Sequence, residues 1–589
     1  MGQYTATVTT SGGSQSFPTL TSTGNLSDLQ TFLTTILSGA PEQVIISVPP
    51  EEIIHNSTVS ATIGNTSLTI SFADATIIKS NSASSLTFIG GYESWTESVA
   101  LTFTSDGRVQ VLFSSIPSSV AVGGWLKIVS DSPYVVGGTA LLGQALKVDE
   151  ISGNSVYSST PFPLLALYQL NVRVKQYKTG TLSLIQYTGE SDFVSIGTTP
   201  GNGTNPPFVT LQSLIEPAVT TFTVSSGYSY GLVLQDCVQA TVEEVSATLL
   251  ADNVGTNAKG FALASRSSFY TQVDGLTAIK TRGGVALEES VVSPNSSNFH
   301  LYGADFQSEV SNVEVTRGTG PGVWVDTGCH NVDLDTVIIA NSGQGMVLKG
   351  RSGAIKNSII SACVKGIEFG PESGSNIIEN LSMGGIAESQ FVGASSGRNI
   401  LRLSTINVSS TEVAVISLDL GASIFFDRVM FKYDFDENDA TFFAFLDDAK
   451  VHFSDCFIDC FGVVGTDAIL FSCGDGIEVT GSGNRIITAN PNLLATVVDG
   501  DSNTGLVDVS FSYVNGLNPA DFALNVGSFS LVRIGWESLI RPIYEVSSLP
   551  TAASRHGEIV YVDDGASGSP CLAFSDGTNW KKVITDGTL

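Results

Sequence analysis

One short pattern returns along the middle of this chain: an apolar residue, two mostly polar residues, then a second apolar or small residue. It joins Val242 with Val245, Val273 with Leu276, Leu334 with Val337, Ile378 with Leu381, Leu403 with Ile406, Phe426 with Val429 and Phe453 with Cys456. Val313 and Ile355 fit with Thr316 and Ser358 in the last place, and from Val313 onward the spacing is 21 to 27 residues. Such a period is too short for a folded domain and too long for a coiled coil, so each copy is one layer of a stack.

Residue type decides which stack. The repeated segments are runs of Val, Ile, Thr and Phe broken by Gly, Asn and Ser, which is strand chemistry rather than helix chemistry. A second strand follows a glycine in many layers, beginning at Gly231, Gly260, Gly284, Gly322, Gly345 and Gly366. Two or three short strands per turn, with glycine or asparagine at corners that need positive φ, predict an all-β fold, a parallel β-helix with stacked aliphatic ladders as its core.

Composition sets further bounds. With 589 residues, 42% hydrophobic and 14% charged, the chain can bury a large core. It contains no apolar stretch of transmembrane length and no basic-then-apolar start, so neither membrane insertion nor standard export is expected. The seven cysteines are odd in number and dispersed, and read as buried small apolar residues in a reduced compartment, with no metal site and no cofactor. A net charge of −29 excludes nucleic acid as a partner and favours a neutral polysaccharide over an anionic one wherever no local Lys/Arg patch exists.

The expected organisation is a flexible N-terminal or attachment segment (1–25), a capping helix and first rungs (26–90), an elaborated antiparallel section (91–205), the parallel β-helix body (206–484), a β-rich trimerisation or transition region (485–540) and a small C-terminal β module (541–589). Ser27 and Gln30 have capping-box spacing, and Leu29, Phe32, Leu33, Ile36 and Leu37 share one helix face. That helix covers the open apolar end of the first rung. The Gly153-Asn154 pair predicts a hairpin, and the Gly-, Asn- and Pro-rich stretch 197–207 a loop.

Two parts of the chain carry a family resemblance. Leu549-Pro-Thr-Ala, Gly557-Glu-Ile-Val-Tyr-Val-Asp and Leu572-Ala-Phe-Ser-Asp-Gly-Thr-Asn-Trp580-Lys-Lys-Val resemble the short terminal module of bacteriophage tail fibres and tailspikes. The helix near 28–37, the strand ending at Val48-Pro49-Pro50, and the segments Trp125-Leu-Lys-Ile-Val-Ser-Asp131 and Gly143-Gln-Ala-Leu-Lys-Val148 resemble the opening section of pectate-lyase-like right-handed β-helices in phage tailspikes. The resemblance implies a homotrimeric virion tail protein, made in the bacterial cytoplasm and attached to the tail or an adaptor through its N-terminus. It would recognise and cleave a host cell-surface polysaccharide. A non-enzymatic receptor-binding fibre of the same fold, and a secreted pectate-lyase-like polysaccharide lyase, are the alternatives. Outward Trp324 and part of the Phe442-Phe443-Ala444-Phe445 run supply apolar surface for the trimer.

Cleavage needs carboxylates on outward positions of neighbouring rungs beside an aromatic platform. If Val323 and Val325 face the core, Trp324 and Asp326 face out, and Glu288 lies one layer away if residues 284–322 form one layer with an insertion. Asp326 and Glu368 are the expected acid and base, Glu288 tunes them, and Trp324, Arg317 and Tyr270 contact substrate. His330 is a further outward residue, and the acidic run from Asp434 to Asp439 lacks the spacing of an EF-hand loop.

Overall fold

The computed structural model describes residues 2–80, 84–134, 140–191, 206–227, 229–250, 260–290, 292–351, 353–393, 397–408, 416–418, 423–434, 441–445, 447–460, 463, 468–488, 494–499, 504–514, 523–525, 528–538, 543–544, 546–555, 559–562 and 571–582. Most of the 197–207 loop and of the 434–439 acidic run lie outside the described residues. The chain is a β-solenoid of about 16 turns. Residues two dozen positions apart become vertical neighbours: Leu334 pairs with Ile355, and Ile355 with Ile378. All three are at most 3% exposed, so the ladder is the core.

Each coil has three faces. Pro321–Val325 forms the first, and Asp333–Ala340 supplies the other two because it bends at Thr336, whose φ is 56°. The same left-handed bend recurs at Asn357, Asn380, Leu403, Arg428 and Asp455. Left-handed backbone costs a non-glycine residue roughly 1–2 kcal/mol. Side-chain bonds offset part of it: Asn357 Nδ2 donates to Asp335 Oδ1 and Asn380 Nδ2 to Asn357 Oδ1, both at 2.8 Å. The glycines expected at corners serve mainly another purpose. A Cβ on Gly345 would stand 2.5 Å from the Gly366 carbonyl oxygen, so that strand needs glycine for close approach.

Register differs from the sequence pattern in two layers. Val310 and Val313, not Val313 and Thr316, align with Leu334 and Val337. Leu401, not Leu403, stacks on Ile378 and Phe426, while Leu403 is exposed at a bend. The solenoid also runs past 485: Ile477–Ile487, Thr504–Val514 and Ser528–Ser538 continue the parallel sheet, with a register shift between Gly481 and Asn484 that hides the repeat.

The first 25 residues are not a free segment. Gln3–Thr10 and Gly13–Thr21 form a hairpin that pairs with Gln43–Ser47. Helix Ser27–Leu37 buries Leu29, Phe32, Leu33 and Ile36, and Phe32 packs near Tyr4 and Phe17 at about 6 Å between ring centres. Its capping box does not form: Leu26 is the N-cap, and Gln30 Oε1 accepts the Ser60 N–H, tying the helix to the first turns.

Residues 97–176 leave the solenoid as two four-stranded antiparallel sheets with their own core of Val109, Val111, Leu126, Ile128, Leu146 and Val156. A latch holds this section on the coils. Lys127 Nζ lies 2.7 Å from Asp236 Oδ1, both side chains are fully buried, Tyr177 Oη (2.8 Å) donates to the same oxygen, and Ser213 Oγ (2.8 Å) and Tyr92 Oη donate to Oδ2. The chain rejoins the solenoid at Leu182–Ile185. Near the C-terminus, Ile559–Val562, Cys571–Ser575 and Trp580–Lys582 form an antiparallel sheet, with Trp580 Nε1 donating to the Pro550 carbonyl at 2.7 Å. The seven cysteines are free, and six are buried. Phe442, Phe443 and Phe445 are also buried, so this run supplies core rather than the outward surface expected of it.

Candidate functional site

Two sites emerge on different faces of the coil. The first lies where Phe261–Arg266, Gly283–Glu288 and Pro321–Val325 end. Parallel register stacks Arg266 on Glu288 and aligns Leu287 with Val325; the Asp326 N–H then bonds the Leu287 carbonyl, which brings Asp326 beside Glu288. Residues 284–322 are thus one layer with an insertion. Glu288 is already engaged: Arg266 Nε is 2.5 Å from Oε2, and Tyr230 Oη donates to Oε1 at 3.0 Å.

Glu289, overlooked from sequence, completes this site. Its Oε2 accepts the Gly328 N–H at 3.0 Å. Burial, reinforced by the Asp326 charge, pushes its carboxyl up to about 7. Asp326 is raised too, by burial first and by Glu288, against the pull of Lys349. The Asp326 charge thus favours the protonated form of Glu289, an arrangement that suits an acid paired with a base. Deeper in, Asp305 accepts from Ser265 Oγ (2.8 Å) and Ser308 Oγ (2.9 Å), and burial carries it to about 7.

The other expected residues fall elsewhere. Trp324 is half-buried on the outward side, but the Lys349 ammonium lies 4.2 Å from its ring centre and its flank packs on Tyr230, Phe261 and Ala286, so it is less open to a sugar than expected. Glu368 stacks in the Trp324 column through Val347, as the strand spacing places it, and accepts from Gln344 Nε2 at 2.7 Å. Arg317 is exposed at the corner before Pro321–Val325, at the opposite end of that strand from Asp326.

Tyr270 belongs to the second site, a groove of about 920 Å³ lined by Glu216, Gln239, Thr241, Tyr270, Gln272, Gln307, Glu309, Asn331 and Asp333. Thr241, Gln272, Glu309 and Asp333 stack as one column at the start of successive strands. Gln239, Tyr270, Gln307 and Asn331 are successive left-handed corners, with φ between 52° and 61°. Tyr270 is held against Trp125 of the inserted section (5.7 Å) and Phe306 (6.0 Å), and burial raises its phenol well above the usual range. Among the described residues no group of three or more His, Cys, Asp or Glu is placed to hold a metal ion.

Arg266 escaped the sequence reading for a specific reason. Counting from Gly260 puts Ala264 in the place of Gln235, whereas the matching strand lies two residues further on and Gln235 pairs with Arg266. Glu289 had no periodic signal, since it begins the insertion.

No protein-family model and no curated protein sequence matches this chain. Several solved structures align with much of this chain. The Gp54 tailspike of Acinetobacter baumannii bacteriophage AP22, determined with A. baumannii capsular saccharide, is 11% identical and aligns over 83% of this chain and 74% of its own, with a TM-score of 0.48. The tailspike gp49 from Pseudomonas phage LKA1 is 12% identical over 95% and 90% of the two chains, with a TM-score of 0.45. The Pseudomonas phage phi297 tailspike gp61 is 14% identical over 81% and 72%, at 0.42.

Proposed function

We propose that this chain is a phage tailspike-type receptor-binding protein that lays a host surface polysaccharide along the groove from Glu216 to Asp333. The groove carries this reading. Its wall of carboxylates, amides, a threonine and one tyrosine can bond sugar hydroxyls and pack against a sugar's apolar edge. These groups stand on rungs fixed by parallel pairing, which suits recognition of a repeating chain. The sequence resemblance of the opening and terminal segments to tailspikes supports the same reading, with attachment to the virion tail through the N-terminal end. Trimer formation would bury an outward column containing Ile338, Ile359 and Met430, each 37–43% exposed.

Cleavage is a second reading, favoured by the Glu289 and Asp326 pair. Glu289, protonated near neutral pH, would serve as the acid and Asp326 as the base or nucleophile, with Lys349 moderating the charge. Retention of the purified protein on immobilised host polysaccharide tests the first reading. Tyr270→Ala together with Asp333→Ala should abolish retention, and unchanged retention would overturn the groove assignment. New reducing ends, lost in Asp326→Asn while retention persists, would support hydrolysis. Ultraviolet absorbance from an unsaturated sugar would indicate elimination instead, and binding with neither product would identify a passive adhesin.

A further inference from the structure

The groove is not the last feature on its face. The column that contains Thr241, Gln272, Glu309 and Asp333 continues through Ala354, Ile377 and Ile400 to Phe425, His452 and Thr480. At about 4.8 Å per rung, Phe425 lies roughly 19 Å beyond Asp333 on the same side of the molecule. There a second pocket, of about 510 Å³, is lined by Arg398, Ser423, Phe425, Lys450, His452, Glu478 and Thr480 among others.

Its chemistry differs from that of the groove. The Arg398 guanidinium lies 4.2 Å from the centre of the Phe425 ring, and the His452 ring stacks on Phe425 at 4.5 Å and 5°. His452 Nδ1 lies 2.8 Å from Thr480 Oγ1, which fixes the imidazole. Such stacking holds a guanidinium in one plane while leaving its N–H edge to pair with a carboxylate. Register places Ser423 between Arg398 and Lys450 in one vertical column, so the two cations flank it from adjacent rungs. Arg398 forms no ion pair among the described residues, and Lys450 meets Glu478 only at 3.6 Å, both side chains being about half exposed. A chain of net charge −29 thus concentrates two exposed cations where the polysaccharide track would run.

We infer that the Arg398, Phe425, Lys450 and His452 pocket is a subsite for a carboxylate-bearing sugar, with the carboxylate seated over Ser423 between Arg398 and Lys450. The inference deepens the polysaccharide reading and rests on it, since it names an acidic residue within the recognised polymer.

Monosaccharides test the pocket without the groove. The full chain, labelled at histidine, is titrated with glucuronate, galacturonate and N-acetylneuraminate, and with glucose and galactose as uncharged controls, while the His452 ring signals are followed by NMR. At least one acid should shift His452 saturably and the neutral sugars should not. Arg398→Gln and Lys450→Gln, both at exposed positions, should each weaken that binding at least tenfold. No saturable shift from any of the three acids, an equal shift from the neutral sugars, or shifts indifferent to both substitutions would overturn the inference. Tyr270→Ala with Asp333→Ala leaves this titration unchanged, so failure of the groove and failure of the subsite are read separately.

Discussion

The latch between the inserted section and the coils gives the sharpest test of how the groove is held. Asp236→Asn removes one charge and leaves Lys127 buried, with both side chains fully enclosed in the native protein. Burial already pulls the Lys127 ammonium below its ordinary range, with the Asp236 carboxylate opposing that pull. Breaking a buried pair by removing one partner costs about 3–5 kcal/mol. At 1.4 kcal/mol per factor of ten, local opening should become roughly a hundredfold to a few thousandfold more frequent. Native-state hydrogen exchange reads this directly: amides of residues 125–132 and Arg173–Gln176 should lose that much protection, while Asp333–Ala340 keeps its own. The double variant Lys127→Met/Asp236→Asn should recover much of the loss, because it leaves no unpaired charge. Polysaccharide retention should weaken in Asp236→Asn, since Trp125 backs Tyr270. Unchanged exchange in the inserted sheet would refute the claim that the ion pair holds it in place.

Three further outcomes follow from named groups. If the chain cleaves its polysaccharide, reducing-end release should fall as pH rises through about 7, where Glu289 loses its proton, and Glu289→Gln should slow it by roughly 10²–10⁴. Asp305, at about 7 against 3.8 unfolded, keeps its proton in the native state when the unfolded chain has lost it. Its stabilising contribution is complete below pH 4 and lost as pH rises to about 7, about 4 kcal/mol in all. Denaturation midpoints of wild type and Asp305→Asn compared at pH 4.5 and 7.5 should show this difference. If the chain forms the proposed trimer, Ile338→Asp on the exposed aliphatic column should convert it to a single chain in light scattering, and an unaltered three-chain mass would place the subunit contact elsewhere.

What sequence could show and what it could not divide along the direction of contact. Contacts along the axis repeat, so Leu334, Ile355 and Ile378 announced themselves by spacing, as did the layer joining Glu288 to Asp326 despite its insertion. Frame errors arose where one residue type imitated another: Leu403 looks like core but stands at a left-handed bend, while Leu401 does its packing. A glycine marks a close approach and not a fixed strand position, which is how Arg266 slipped out of the acidic column.

Contacts across faces leave no such trace. Lys127 stands in Trp-Leu-Lys-Ile-Val, where alternation would send a lysine to solvent, and it is fully buried because Asp236 meets it from the coils, with Tyr92 and Tyr177 donating to that carboxylate. Desolvating an ammonium is tolerable only when a partner charge and further donors are fixed in advance. Here Asp236 is fixed by a left-handed corner of the solenoid, with φ 57°. The coils therefore supply a rigid charge to which the inserted sheets are fitted, and a neighbouring ladder of corners, three residues after Asp236 in its turn, sets the lining of the groove at Gln239, Tyr270, Gln307 and Asn331. If the proposed groove binds polysaccharide, these non-glycine corners are the positions that would decide its specificity, because their side chains line it while other residues carry the apolar ladder.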